Sequence, residues 1–119
     1  MEKRRVVVTG IGAVTPLGND AKSLWENIVA NKSGIDFITR VNKDDFPVSV
    51  AGEIKDFDPK AFMDRKDARK MDLFTQYAVA ASKMAVEDAN LTIDESNAER
   101  VGVWIGCGMG GMDTYEEQL

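Results

Sequence analysis

Two kinds of apolar spacing alternate along the chain. Residues 5–9 (RVVVT) and 100–105 (RVGVWI) are short, nearly continuous runs rich in β-branched and aromatic residues. That pattern predicts strands buried on both faces. Helical spacing takes over between them. Leu24, Trp25, Ile28 and Val29 fall on one face of a helix predicted over residues 21–31. Asn19 or Asp20 can cap its start, and Ser33–Gly34 can end it, with glycine in the left-handed conformation. Residues 64–90 carry the strongest helical pattern, with Phe74, Tyr77, Ala78, Ala81, Met84 and Ala85 along one side. Ala80 and Ala89 add small residues elsewhere, as in a helix surrounded by protein. This stretch is either two helices or one bent near Met71–Asp72.

The remaining segments read more weakly. Val48–Ile54 alternates loosely and is a candidate strand, and Asp58–Pro59 suits the start of a short helix. Residues 91–99 form an acidic connection. Residues 112–119 resemble the first turns of a helix, with Asp113, Glu116 and Glu117 near its positive end. The order strand, helix, mixed loop, helix, strand, helix predicts an α/β fold with a mostly parallel sheet. Two buried strands cannot fill both faces of such a sheet, so the chain reads as the opening of something larger.

Composition narrows the chemistry. The chain has 119 residues, enough for one small domain, and a net charge of −5. Such a balance makes nucleic acid and anionic membrane poor partners for the surface as a whole. No apolar run approaches the ~20 residues of a membrane span, and Val6–Val8 is too short for the core of a signal peptide. A cytoplasmic protein is expected. There is no His, so a Ser-His or Cys-His pair cannot be completed within the chain. No CxxC or HExxH pattern is present, and no metal site is expected.

Glycine loops pose the sharper question. Residues 106–111 (GCGMGG) spell G-x-G-x-x-G after a predicted strand. In a dinucleotide site such glycines let phosphate approach backbone N–H groups at a helix start. The confirming acidic residue would fall about 20 residues on, past Leu119. At residues 10–18 (GIGAVTPLG) the third glycine position is Thr15, and Pro16 follows. Both loops therefore read as tight strand-to-helix turns. Cys107, the single cysteine, could be activated near a helix start, yet a cysteine between glycines is more often a small packing residue.

One segment runs against the acidic balance. Lys60–Lys70 (KAFMDRKDARK) holds five basic and two acidic residues. Lys66, Arg69 and Lys70 are spaced to share one helix face, which would attract an anionic partner at long range. On charge alone a solvated helix surface is the favoured explanation, since most charge runs bind nothing.

Taken together, RRVVVTGIGAVTPLGND, the SGI at Ser33–Ile35, the RKMD at Arg69–Asp72 and RVGVWIGCGMGG resemble the N-terminal part of the β-ketoacyl-acyl-carrier-protein synthases. The likeness is strongest to the elongating type II enzymes of bacterial fatty acid synthesis and spans essentially the whole chain. The resemblance implies a thiolase-like fold, layered αβαβα and dimeric, with only the first part of its N-terminal half present in residues 1–119. It implies decarboxylative Claisen condensation of an acyl thioester with malonyl-acyl-carrier protein, without cofactor or metal. Catalytic residues are implied to lie past Leu119: a nucleophilic cysteine and two histidines. Cys107 does not match that nucleophile. Lys66, Arg69 and Lys70 match basic positions that meet the acidic acyl carrier protein. Gly108 and Met109 match positions beside the acyl channel, where a flexible Met can adjust to chain length, although core packing would use the same residue type. The complete enzyme is expected to be a homodimer. A non-catalytic module binding an acidic protein through the basic face is the competing reading, and a dinucleotide-binding domain a third.

Overall fold

The computed structural model describes residues 3–119, the Lys43 side chain excepted. The chain divides into two compact units, Ala13–Asp58 and the pair of segments Met1–Gly12 and Pro59–Leu119.

The unit Ala13–Asp58 opens on a tight turn. Thr15 N–H donates to the Gly18 carbonyl at 2.9 Å and Gly18 N–H returns to the Thr15 carbonyl at 3.1 Å. Pro16, second in the turn, presets the backbone angle this requires. Helix α1 (Ala21–Val29) follows. Asp20 caps it: its carboxylate accepts from Ser23 N–H at 2.8 Å and from the Ser23 hydroxyl at 2.7 Å. These bonds, the backbone one foremost, hold the Asp20 carboxyl below its ordinary value. Asn27 Nδ2 donates to the Leu17 carbonyl at 2.5 Å, tying the helix back to the turn.

α1 ends earlier than its sequence pattern predicts, and by a different residue. Asn31, not Gly34, takes the left-handed conformation, at φ 55°. Asn tolerates that region because its short polar side chain bonds locally. Gly34 serves close packing instead, since a Cβ there would lie 2.9 Å from Pro16 Cβ. The candidate strand at 48–54 contracts to β2 (Val50–Ala51), antiparallel to β1 (Asp36–Phe37), with Asp36 opposite Ala51 and Phe37 opposite Val50. Glu53 braces this hairpin. Its carboxylate accepts from the Thr39 hydroxyl at 2.7 Å and from the N–H groups of Thr39 and Arg40 at 3.1 Å. The Thr39 hydroxyl is the main cause that holds Glu53 below the usual carboxylate range.

In the other unit the strong helical segment resolves into two helices, α2 (Arg65–Ala68) and α3 (Leu73–Asp88). The break falls at Met71–Asp72, where Asp72 is extended, with φ −61° and ψ 157°. Ala80 is fully buried on α3. Gly10 and Gly12 run against the same helix. A Cβ on Gly12 would lie 2.8 Å from the Ala81 carbonyl carbon and 2.9 Å from Ala85 N, and one on Gly10 would lie 2.8 Å from Ala89 Cβ. Ile11 N–H, between the two glycines, donates to Asp88 Oδ2 at 2.8 Å. Lys83 donates its ammonium to the Phe62 carbonyl, fixing the short 3₁₀ turn Pro59–Ala61 nearby. Helix α4 (Met112–Glu117) ends the described chain.

The two predicted buried strands are not formed. Residues 5–9 and 100–105 pair with no strand among the described residues, apart from a 3₁₀ turn over Ala98–Arg100 that overlaps the second. Val6, Val8, Val103 and Trp104 are 89%, 81%, 78% and 98% exposed, so these runs line no core. The reason is physical. An apolar run records which surface burial would stabilise, but a strand needs a neighbour about 4.8 Å away to take its N–H and C=O groups. Among the described residues no helix is long and apolar enough to cross a membrane.

Candidate functional site

The basic segment lies at the end of α2. Lys66 is within the helix, Arg69 is its C-terminal cap, and Lys70 is in the turn that follows. All three are exposed, and none forms an ion pair among the described residues. Helical hydrogen bonding tightens at this point. Arg69 N–H reaches the Arg65 carbonyl at 3.2 Å, whereas Lys70 N–H reaches Asp67 and Met71 N–H reaches Ala68, at 3.0 and 3.3 Å. The segment is thus one helical turn closing as 3₁₀, which gathers the three cations within five residues.

What fixes this turn is a side chain that the apolar pattern passes over. Gln76 is buried on α3, and its Nε2 donates to the carbonyls of Ala68 and Met71, each at 2.9 Å. A primary amide has two N–H donors, and here both are used. Ala68 is itself buried between the exposed Lys66 and Arg69. The inward groups of the turn are therefore held while its charged residues remain in solvent.

The Asp72 side chain, at the start of α3, makes no capping bond to its own helix. It accepts instead from the Thr114 hydroxyl, on the first turn of α4. A Cβ on Gly111 would run into the Asp72 carboxylate, which would have to shift to admit it. The end of the glycine loop is in this way seated on α3. Gly110, beside it, adopts φ 80°, a conformation that favours glycine.

The crest of the loop differs. Gly106 and Gly108 have nothing within 4 Å of a built Cβ, and Met109 is 79% exposed. An apolar hollow of about 270 Å³ lies between α3 and the start of the loop, lined by Phe74, Thr75, Ala78, Val79, Ile105, Gly106 and Cys107. Gly108 and Met109 stand outside this lining. The Cys107 thiol is exposed, and its Sγ accepts from Gly110 N–H at 3.1 Å within the same loop. Among the described residues no cluster of three or more His, Cys, Asp or Glu is arranged to hold a metal ion.

Residues 3–119 match the family described as beta-ketoacyl synthase, N-terminal domain. The chain belongs to this family. It is 51% identical over 115 residues to a 3-oxoacyl-[acyl-carrier-protein] synthase 2 of Staphylococcus aureus (strain COL), a match that covers 97% of this chain and 28% of the relative. The protein of the same name from Coxiella burnetii (strain RSA 493 / Nine Mile phase I) is 50% identical over 117 residues, again 28% of its length. The chain therefore spans somewhat over a quarter of the curated relatives it matches. A solved structure of the ishigamide ketosynthase/chain length factor superposes with a TM-score of 0.70 at 37% identity, over 76% of this chain and 23% of that one. The fold is thiolase-like, as family membership and this likeness together show.

Within this β-ketoacyl synthase segment, the structure ties the basic turn and the foot of the glycine loop to the first turns of α3. Gln76, Asp72 and Thr114, which do the tying, were not singled out by the sequence pattern. One signal was available for Gln76: an amide four residues before Ala80, on a helix whose other marked positions are apolar or small. Nothing local marks Asp72 as the partner of a hydroxyl 42 residues away.

Proposed function

We propose that this chain is part of a 3-oxoacyl-acyl-carrier-protein synthase that elongates fatty acids. The carrying observation is 51% identity to a synthase of that name across 97% of the chain. In the proposed reaction an acyl group passes from its carrier thioester to an enzyme cysteine, releasing the carrier thiol. Malonyl-carrier-protein then loses carbon dioxide, and the electron pair of the broken bond becomes an enolate. The enolate carbon attacks the enzyme thioester, the cysteine thiolate leaves, and the product is a 3-oxoacyl chain two carbons longer.

This segment supplies none of the reacting groups in that scheme. It has no His, and its one cysteine lies in the glycine loop. The nucleophile and the two imidazoles that would hydrogen-bond the enolate oxygen belong to sequence outside these residues. The contribution proposed for this segment is substrate delivery. Lys66, Arg69 and Lys70 present positive charge to the acidic carrier protein, and electrostatic complementarity of this kind speeds and orients docking. Gly108 and Met109 border the acyl channel, where the flexible thioether suits chains of varying length. The complete enzyme works as a cytoplasmic homodimer with no cofactor.

The test uses the complete synthase with acyl- and malonyl-loaded carrier protein, following the 3-oxoacyl product. Reversing the charge at Lys66, Arg69 and Lys70 together is expected to raise KM for the carrier-bound substrate about ten-fold at low salt, with less effect as salt screens the contact. An unchanged KM at low salt removes this face from the mechanism. Absence of any 3-oxoacyl product from the unaltered enzyme removes the reaction itself.

A further inference from the structure

The basic turn depends on a buried side chain that touches no partner. Gln76 spends both of its amide hydrogens on the Ala68 and Met71 carbonyls, each at 2.9 Å. Those two carbonyls bracket Arg69 and Lys70. Ala68, one of the two residues between Lys66 and Arg69, is buried. α2 has four residues, far too few to hold a helical conformation by its own hydrogen bonds. The conformation of residues 66–70 therefore depends on groups outside α2, and the Gln76 amide is the side chain seen to hold its end.

We propose that Gln76 is a positioning residue for carrier-protein docking: it fixes the backbone of the 68–71 turn so that Lys66, Arg69 and Lys70 are presented in one arrangement. This rests on the reading of that face as the carrier site. A set of charges held ready binds with less loss of conformational freedom than one that must be ordered by the partner. Removing the amide takes its donor from the Met71 carbonyl, leaves the Ala68 carbonyl only the 3.3 Å bond from Met71 N–H, and loosens the turn. The cations remain present, but their geometry is no longer set in advance.

Gln76→Met tests this in the complete synthase, because it keeps an unbranched apolar side chain of similar length and deletes both donors. KM for malonyl-carrier-protein is expected to rise about five-fold, the scale of losing a buried hydrogen-bond pair at a coupled site. Turnover of a malonyl-pantetheine thioester, which lacks the carrier protein, is expected to change less than about two-fold, as the reacting groups are untouched. Hydrogen exchange at Arg69–Met71 should quicken while that of α1 stays the same. A folded variant with unchanged KM overturns the proposal. So does a parallel loss with both substrates, which indicates a general structural role. If Gln76→Met does not fold, Gln76→Leu takes its place with the same expectations, since it is apolar and has no donor to offer. The charge-reversal variant separates the two readings. If it raises KM and the Gln76 variants do not, only the positioning role fails. If it has no effect, the carrier site itself fails.

Discussion

Gly10 and Gly12 press against the backbone of α3, whereas Gly106 and Gly108 have open space where a side chain would go. Both pairs read G-x-G, and each follows an apolar run. In the first pair the missing side chain makes room for a helix: Ala81, Ala85 and Ala89 recur every four residues along the face that meets the glycines. The small residues on both sides let the two backbones approach closely. In the second pair nothing is being accommodated, and glycine leaves the crest of the loop unconstrained. Only the foot of that loop favours glycine, at Gly110 for a left-handed angle and at Gly111 for close contact with the Asp72 side chain. The same spelling thus serves packing in one place and freedom in the other. What distinguishes them is the surface opposite, about 70 residues away in sequence.

Substitution at Gly12 puts the largest strain on this contrast. A Cβ there meets the Ala81 and Ala85 backbone, which cannot swing aside as a side chain tip can. Gly12→Ala is expected to destabilise the complete synthase by about 3 kcal/mol, or to prevent its accumulation as folded protein. Thermal unfolding monitored by calorimetry reads the effect. A variant as stable as the parent would show that the glycine spacing here has nothing to do with α3.

A smaller effect separates the two helices that follow the loops. α1 begins with a side-chain cap from Asp20, but α4 begins at Gly111, which has none. Asp20→Ala is expected to cost about 1 kcal/mol. The pH dependence has a definite sign. Because Ser23 lowers the Asp20 pKa in the folded state, the stabilisation is present above the unfolded-state value of 3.8 and is lost as pH falls through the folded one. Asp20→Asn keeps a capping acceptor and removes the titration, so its stability relative to the parent should improve in acid. The comparison is made by unfolding at pH 7 and near pH 3. Equal acid sensitivity in both proteins would mean that Asp20 contributes no titrating cap.

How far the sequence revealed these features depended on how locally each is determined. α1 and its cap, the Pro59 turn and the break at Met71–Asp72 are each governed by residues within a few positions, and the spacing located them. β1 and β2 have two residues each, too few for alternation to register. The exposed runs at Val6–Val8 and Val103–Ile105 mislead for the opposite reason. Their composition reports a preference for burial, and no local pattern states whether a partner is there to provide it. Within the candidate site, the charges of Lys66, Arg69 and Lys70 were legible. Gln76 was not, because its role is defined by two carbonyls in another helix turn rather than by its own neighbours.

The smallest expected change is the one that most directly checks the open half of the comparison. Gly108 has no contact for a Cβ to violate and does not adopt a positive φ. Alanine there meets no obstacle in the folded loop and restricts the unfolded chain slightly. Gly108→Ala is therefore expected to alter the stability of the complete synthase by no more than about 0.5 kcal/mol in either direction. Measured beside Gly12→Ala by the same calorimetry, it turns the contrast between the two loops into a difference of about 2.5 kcal/mol or more. A loss at Gly108 as large as that at Gly12 would mean that the crest is packed against something after all, and that both glycine pairs do the same job.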